Sequence, residues 1–384
     1  MARLDQICKL NMGQSPDSSS YNENKIGMPF FQGNADFGTL HPTVRIWCSA
    51  PTKVANSGDI LISVRAPIGA LNIANVECCI GRGLAALTVD ERKCKKEYLW
   101  HAISSKVDEL NSKGTGSTFK AISKNILAET EIPLPNLDMQ THIAAVLDKI
   151  DNLISFRKQQ LARLDELVKA RFVELFGDPV INPKGYLVKP LQELIDMGYI
   201  TYHLDGNHGG DYPRSEEFVD SGVPYIGANS IVNGEIDFSM AKYLTEERAG
   251  KLRKGIAQNE DVLFAHNATV GPTVVLKTTE PKVILSTSLT AYRCNKSNLL
   301  PNYLKAYMQS DGFVRQYSGE MKQTTRNQVP ITAQKKYLFI VPPIVEQERF
   351  AAFVEQTDKS KLAVQQSLDK LELLKKALMQ KYFE

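Results

Sequence analysis

Along residues Ile143, Leu147, Ile150, Ile154, Arg157, Leu161, Leu164, Val168, Arg171 and Leu175 the chain steps alternately by four and three positions, and eight of these ten residues are aliphatic. No glycine or proline falls between Asp138 and Phe176, and Gly177-Asp178-Pro179 then ends the run. A 4-3 alternation keeps side chains on one narrow face of an α-helix, and Gly with a following Pro is a helix stop, so the pattern predicts one long amphipathic helix over 137–178. A second long helix is predicted over 345–384. There Phe350, Phe353, Val364, Leu368, Leu371, Leu374, Leu378 and Tyr382 trace a less regular stripe, interrupted by Thr357 and Lys361. Elsewhere short apolar runs such as DILISV, LAALTV, DVLFA and TVVLK alternate with Gly, Pro, Asn and Ser, which predicts strands and turns. Two β-rich modules, 1–136 and 179–344, therefore alternate with the two helices.

The modules repeat one another. QTHIAAVLDKID at Gln140 to Asp151 returns 207 residues later as QERFAAFVEQTD at Gln347 to Asp358, each after a proline-rich approach. GMPFFQGN, Gly27 to Asn34, returns as GVPYIGAN, Gly222 to Asn229, and GDILISVRAPIG, Gly58 to Gly69, as EDVLFAHNATVG, Glu260 to Gly271. Tyr98-Leu99 matches Tyr303-Leu304, and Ser117-Thr118 matches Thr324-Thr325. All pairs fall in one order, with offsets drifting from 195 to 207, as expected of two half-proteins in tandem. A helix of about 39 residues reaches about 58 Å, whereas a module of this size has a radius of gyration near 14 Å, so much of each stripe extends past its own module. The two stripes are expected to bury each other, in either direction; an antiparallel pair would give an approximate two-fold.

Composition narrows little. The 384 residues carry 46 basic and 43 acidic side chains, a net charge of +3, which neither demands nor excludes nucleic acid. The six cysteines lack metal-ligand spacing and read as reduced buried thiols of an intracellular, cytoplasmic protein. No apolar run is long enough for a membrane span, and MARLDQICKL lacks a signal-peptide core. Nucleotide loops, dinucleotide turns and metal spacings are missing, so no catalytic residue, metal or cofactor is assigned; His203 and His208 read as surface histidines.

Paired heads on a rigid spacer suit a polymer read at two places, and duplex DNA is the obvious one. NSKGTGSTFKAIS, Asn111 to Ser123, gathers lysines, hydroxyls and glycines that suit phosphates, which marks Lys113, Ser117, Thr118 and Lys120. Its counterpart, Met321 to Val329, offers Lys322, Gln323, Thr324, Thr325, Arg326 and Asn327, types that also read base edges. Arg65 after the DILISV strand, Asn267 at the matching place, and Asn34 and Asn229 at the ends of the matched GxPxxxxN phrases complete the candidates. The plain alternatives are a solvated loop, a salt-bridge partner for Arg65, and turn caps for the asparagines. Gln14 and His208, in glycine-rich loops, are weaker candidates still.

The Gln-x-x-Ile/Phe-Ala-Ala phrases, the tail ending in ARFVELFGDP and the GDILISVRAPIG segment together resemble the specificity subunit of type I restriction-modification systems, over nearly the whole chain. The resemblance implies an α+β architecture in which two similar α/β target recognition domains are held apart by two long antiparallel coiled-coil helices with a pseudo-two-fold repeat. It implies a non-catalytic subunit that reads a bipartite double-stranded DNA target and docks two methyltransferase subunits, with restriction subunits joining. The helices, with Ile143, Leu147, Ile150, Leu161, Leu164, Leu368 and Leu371, are then the partner-binding element. S-adenosylmethionine and ATP are expected on the partners. Two departures are visible: His266-Asn267-Ala268 is neutral where the family is often basic, and the chain opens directly into its first head. The rival readings are a coiled-coil scaffold with peptide-binding heads and the recognition part of a self-contained DNA methyltransferase.

Overall fold

In the run DILISV successive side chains of a strand point to opposite faces, yet all are apolar, which requires cover on both sides of the sheet. The computed structural model describes residues 1–116, 120–321 and 327–384. It supplies that cover: Ile60 and Ile62 lie in one core with Tyr98, Leu99, Ala102 and Ile103, while Leu61 lies in another with Phe31, Ala55 and Ile80. The chain divides into two units, Met1–Gln159 with Gln365–Glu384, and Gln160–Val364.

The first unit holds an antiparallel four-stranded sheet in the order Cys8–Met12, Leu84–Val89, Ile60–Ser63, Leu71–Ile73. Against one face lies a five-stranded sheet, Tyr21–Asn22, Ile46–Cys48, Met28–Phe31, Cys78–Ile80, Val54–Ala55, whose Met28–Phe31 and Cys78–Ile80 strands pair in parallel. Helix Lys96–Ser105 supplies Tyr98, Leu99, Ala102 and Ile103 to the core on the other face. The second unit has the same strand order: Ile200–Asp205, Leu289–Cys294, Val262–Asn267, Thr269–Val275 in one sheet. Its other large sheet runs Phe218–Val219, Lys242–Leu244, Val223–Ile226, Val283–Leu285, Ile256–Ala257, again with the central pair parallel. Val262 and Phe264 face one core, Leu263 and Ala265 the other.

The long helices run Leu137–Phe176 and Ile344–Phe383. All ten positions of the first stripe are buried or half-buried. The second stripe is more regular than the sequence indicated: Phe350, Val354, Thr357, Lys361, Val364, Leu368, Leu371, Lys375, Leu378 and Tyr382 step by four and three without a break, all at least half-buried. Leu374, expected on it, is 47% exposed, and Lys375 takes its place because its ammonium reaches Asp151 at 2.5 Å. Within the first unit Arg157 Nε donates to Ser367 Oγ at 3.2 Å and Lys158 meets Glu372 at 3.0 Å. From Asp151 on Lys375 to Arg157 on Ser367 numbers rise on one helix as they fall on the other, so these segments run in opposite directions. The second unit shows the same sense, with Lys361 on Asp165 at 2.5 Å and the Arg171 guanidinium 5.7 Å from the Phe353 ring. Such half-exposed pairs contribute about 1 kcal/mol or less each, and their main effect is to fix register.

The helices are not a free-standing spacer domain. Ile143, Ala144, Leu147 and Phe383 belong to the core of the first unit, and Phe172, Phe176, Phe350 and Val354 to that of the second. Each unit is closed by the start of one helix and the end of the other. Phe176 packs edge-on against Tyr303 with centroids 4.8 Å apart, and Phe383 meets Tyr98 at 5.4 Å. Ile143, Leu147, Ile150 and Leu368 are buried, and Leu161, Leu164 and Leu371 are half-buried. His203 is likewise buried, on the strand Ile200–Asp205, because its ring packs at 4.6 Å on Tyr292; of the two histidines read as surface residues, His208 is the exposed one. All six cysteines are free, and burial pushes the Cys8, Cys78 and Cys94 thiols up to about 12, which keeps them protonated and inert. No helix of the described residues is long and apolar enough to cross a membrane.

The repeated glutamine has a structural purpose. Gln140 is fully buried; its Oε1 accepts from Lys95 N at 2.8 Å, and its Nε2 donates to Pro135 O at 2.7 Å and Lys93 O at 3.2 Å. Gln347 does the same with Leu300 N, Pro342 O and Asn298 O at 2.9, 2.8 and 3.1 Å. Each clamps the first turn of a long helix to the segment that opens a head helix. Gln140→Ala or Gln347→Ala leaves three half-buried or better shielded backbone hydrogen bonds to be remade with water, at about 1–3 kcal/mol for each group that water does not reach. Urea unfolding is expected to show a loss of about 2–4 kcal/mol for either variant; a loss under about 0.5 kcal/mol would mean that water replaces the amide.

Candidate nucleic-acid interface

Two strands end beside the closing residues of the candidate loops. In the first unit Val64 and Arg65 leave the strand Ile60–Ser63, and three backbone bonds tie them down: Val64 N to Gly83 O at 2.9 Å, Ile122 N to Val64 O at 2.9 Å, and Ala66 N to Lys120 O at 3.0 Å. The second unit repeats the arrangement with His266 N to Ser288 O, Val329 N to His266 O and Ala268 N to Asn327 O, at 3.0, 2.8 and 3.0 Å. Arg65 pairs across an isolated bridge with Ala121, as Asn267 does with Gln328. Arg65 thus stands where Asn267 stands, and Lys120 where Asn327 stands. Ser117, Thr118, Lys322, Gln323, Thr324, Thr325 and Arg326 lie outside the described residues.

Beside Arg65 the first unit has a cleft of about 310 Å³ whose walls include Phe30, Gln32, Asn34, Asp36 and Arg82. Arg65 and Arg82 are both exposed and have no ion-pair partner among the described residues. Asp36 turns one carboxylate oxygen to Gln32 N at 2.8 Å and Gly33 N at 3.4 Å, which shapes the turn Asn34–Asp36. Asn34 is in the wall, whereas Asn229 is exposed and not its equivalent. The turns Asn34–Asp36 and Ala228–Ser230 follow Gly33 and Gly227, so Asn34 matches Ala228 and the aligned asparagines differ by one position. Gln32 is the inserted residue. Gln32 and Arg82 escaped sequence reading; an arginine between glycines at the end of an apolar run, IGRGL, was the available signal for the second.

Lys113 closes the helix Val107–Lys113 and pairs with Glu109 at 2.6 Å, while Lys120 is exposed. The Lys113 and Lys106 ammonium groups hold the Glu109 carboxyl below its usual range. Both partners are well exposed, so a phosphate exchanges for Glu109 at little cost. Asn111 is structural, donating to Ile68 O at 3.0 Å and Val107 O at 2.8 Å. Gln14 is exposed, and its backbone N donates to Ile80 O.

Behind the second loop lies a buried polar network. Gln334 Nε2 donates to Thr290 Oγ1 and Val329 O, both at 3.1 Å, and its Oε1 accepts from the Tyr292 hydroxyl at 2.5 Å and His203 Nε2 at 3.1 Å. His266 Nδ1 donates to the same Val329 O at 3.1 Å. Carbonyl oxygens only accept, so the proton sits on Nε2 of His203 and Nδ1 of His266. The other ring nitrogens, His203 Nδ1 and His266 Nε2, are buried without a partner among the described residues. Burial, only partly offset by Gln334 and Asp205, depresses His203 to about 4, and it depresses His266 too.

A family model for the type I restriction modification DNA specificity domain matches residues 1–166 and 184–373. The chain belongs to that family. It is 42% identical over 165 residues to a Methanocaldococcus jannaschii protein described as the type I restriction enzyme MjaX specificity subunit, an alignment spanning 43% of this chain and 39% of that protein. The EcoBI specificity subunit of Escherichia coli aligns over 99% of this chain and 84% of its own length at 19% identity. Among solved structures, the S subunit of a type I restriction-modification system from M. genitalium covers 100% of this chain and 95% of its own, with a TM-score of 0.61 at 16% identity, a likeness of fold. Target recognition by this family concerns DNA, which gives the two tied loops and the arginine cleft their meaning as candidates.

The buried imidazoles make one head of this specificity-domain chain sensitive to acid. An unfolded histidine titrates near 6.5, so the unfolded chain binds the proton first and stability is full above about pH 6.5, falling as pH drops toward 4. For His203 the loss reaches about 3 kcal/mol across that window. His203→Gln, which still donates to Gln334, is expected to flatten the pH dependence of the urea midpoint; parallel profiles for variant and wild type would place the sensitivity elsewhere.

Proposed function

We propose that this chain is the DNA-addressing subunit of a type I restriction-modification complex, in which each head reads one half of a split duplex target. The observation that carries this reading is the pair of loops tied at equivalent places by equivalent backbone bonds, Val64–Ile122 in one head and His266–Val329 in the other, each bordered by basic and amide residues. A common frame with divergent side chains is what two readers of different half-sites need.

In this reading the two 40-residue helices form an antiparallel coiled coil that spaces the heads, with each helix reaching about 60 Å at most. The opposed direction of the helix segments inside each unit supports it. Two methyltransferase subunits dock on the exposed faces of the helices rather than on the stripe, and restriction subunits join the assembly. S-adenosylmethionine and ATP act on those partners, and this chain performs no chemistry of its own. The M. jannaschii and E. coli relatives are named as specificity subunits of restriction enzymes, which favours an address over an enzyme.

Insertion of seven residues in register into both helices is expected to widen the gap between the two methylated half-sites while leaving each half-site sequence intact. The measurement is a map of methylated positions in DNA treated with the full chain and its methyltransferase partner. An unaltered gap would remove the spacer role, and methyl transfer by the purified chain alone would overturn the non-catalytic reading.

A further inference from the structure

The two heads share a frame but differ in charge at two equivalent positions, which in the first head both line the cleft. Arg82 lies in the turn Gly81-Arg82-Gly83 between the strands Cys78–Ile80 and Leu84–Val89. That turn is held by Gly81 N to Phe31 O at 2.8 Å and Leu84 N to Gly81 O at 3.0 Å. Ser286 N to Ile226 O at 2.7 Å and Leu289 N to Ser286 O at 3.2 Å hold the corresponding turn in the second unit, which puts Thr287 where Arg82 stands. The bond from Val64 N to Gly83 O then sets the residue before Arg65 against the residue after Arg82, so the two arginines leave neighbouring backbones, and both line the cleft. Gly83 is required there, since a Cβ would lie 2.5 Å from Gln32 O. In the second unit Asn267 and Thr287 occupy both places, and neither is charged.

Resting on the DNA-addressing reading, we propose that Arg65 and Arg82 make the first head a reader of guanine, and that the second head, neutral at the same two places, selects its half-site without them. A guanidinium fits the O6 and N7 acceptors of guanine in the major groove, and a carboxylate accepts from the N4 amine of the paired cytosine. The cleft offers both kinds of group, because Asp36 shares its wall with the two arginines. That carboxylate repels a phosphate, whereas a G·C pair satisfies cation and anion together. Gln32 and Asn34 supply amides for a neighbouring base. Phosphate binding is the competing use of the same guanidinium chemistry, and its signature differs: affinity falls for every sequence alike and the salt slope shrinks by about one per contact removed.

The test selects bound duplexes from a random pool with the full chain in complex with its methyltransferase partner, comparing wild type, R65N/R82T, which imports the second head's residues, and R65K/R82K, which keeps charge but not the planar fork. Wild type is expected to prefer guanine by about tenfold or more at one position of one half-site. In R65N/R82T that preference is expected to fall below about threefold while the other half-site stays unchanged, and the intact half serves as the control for folding. R65K/R82K is expected to keep the salt slope and lose most of the preference. Two unchanged half-sites with a shallower salt slope in R65N/R82T would assign the arginines to phosphates and overturn the inference while sparing the addressing role. A wild-type pool with no enriched sequence would overturn both.

Discussion

Each unit depends on a closure made by two helix ends. The four-stranded sheet carries apolar side chains on both faces, and its outer core in the first unit is completed by Ile143, Ala144 and Leu147 from the start of one long helix and Phe383 from the end of the other. In the second unit Phe350 and Val354 arrive from a helix start, and Phe172 and Phe176 from a helix end. Leaving those aromatic and aliphatic groups in water forfeits about 1.5–3 kcal/mol each. Neither head is closed without both helices, and the last phenylalanine of each helix, on Tyr303 or Tyr98, is the seal.

This closure accounts for the repeated phrase around Gln140 and Gln347. A glutamine at the fourth residue of the helix binds one donor and two acceptors of the head at once, so the exit angle of the helix is set where it leaves the core. The following alanines, Ala144 and Ala351, keep that face small where the helix comes down on the module. Further along, Lys361 on Asp165 and Lys375 on Asp151 replace aliphatic seam residues with charge pairs that are geometrically demanding and energetically slight. Register is set by those pairs while adhesion comes from their apolar neighbours.

The frame and the reading surface obey different physics. Backbone hydrogen bonds such as Val64 to Gly83 and His266 to Ser288 need no particular side chain, so the same scaffold tolerates Arg or Asn, Arg or Thr, at the positions it presents. The second head adds a device absent from the equivalent position of the first: His266 replaces Val64 and ties the loop through a side-chain bond to Val329, backed by the Gln334 network. Its cost is two buried imidazoles that resist protonation.

Periodicity made the two helices, the two modules and their repetition legible, because a 4-3 stripe, a glycine-proline stop and collinear repeats depend on local geometry alone. The same local reading placed Leu374 on a stripe that runs through Lys375, since an aliphatic residue scores as apolar while a lysine scores as polar wherever its ammonium finds Asp151. It aligned Asn34 with Asn229 across an inserted Gln32, set His203 on the surface and passed over Arg82. Each miss is a fact about a partner far along the chain: Asp151 for Lys375, Tyr292 and Gln334 for His203, the Val64–Gly83 bond for Arg82. Sequence by itself determined the segment order and the tandem design, through spacing that any helix or strand imposes on its own residues. Only the tertiary structure decided which helix ends close which core and which side chains face one cleft, because those depend on contacts between residues that no local period brings together.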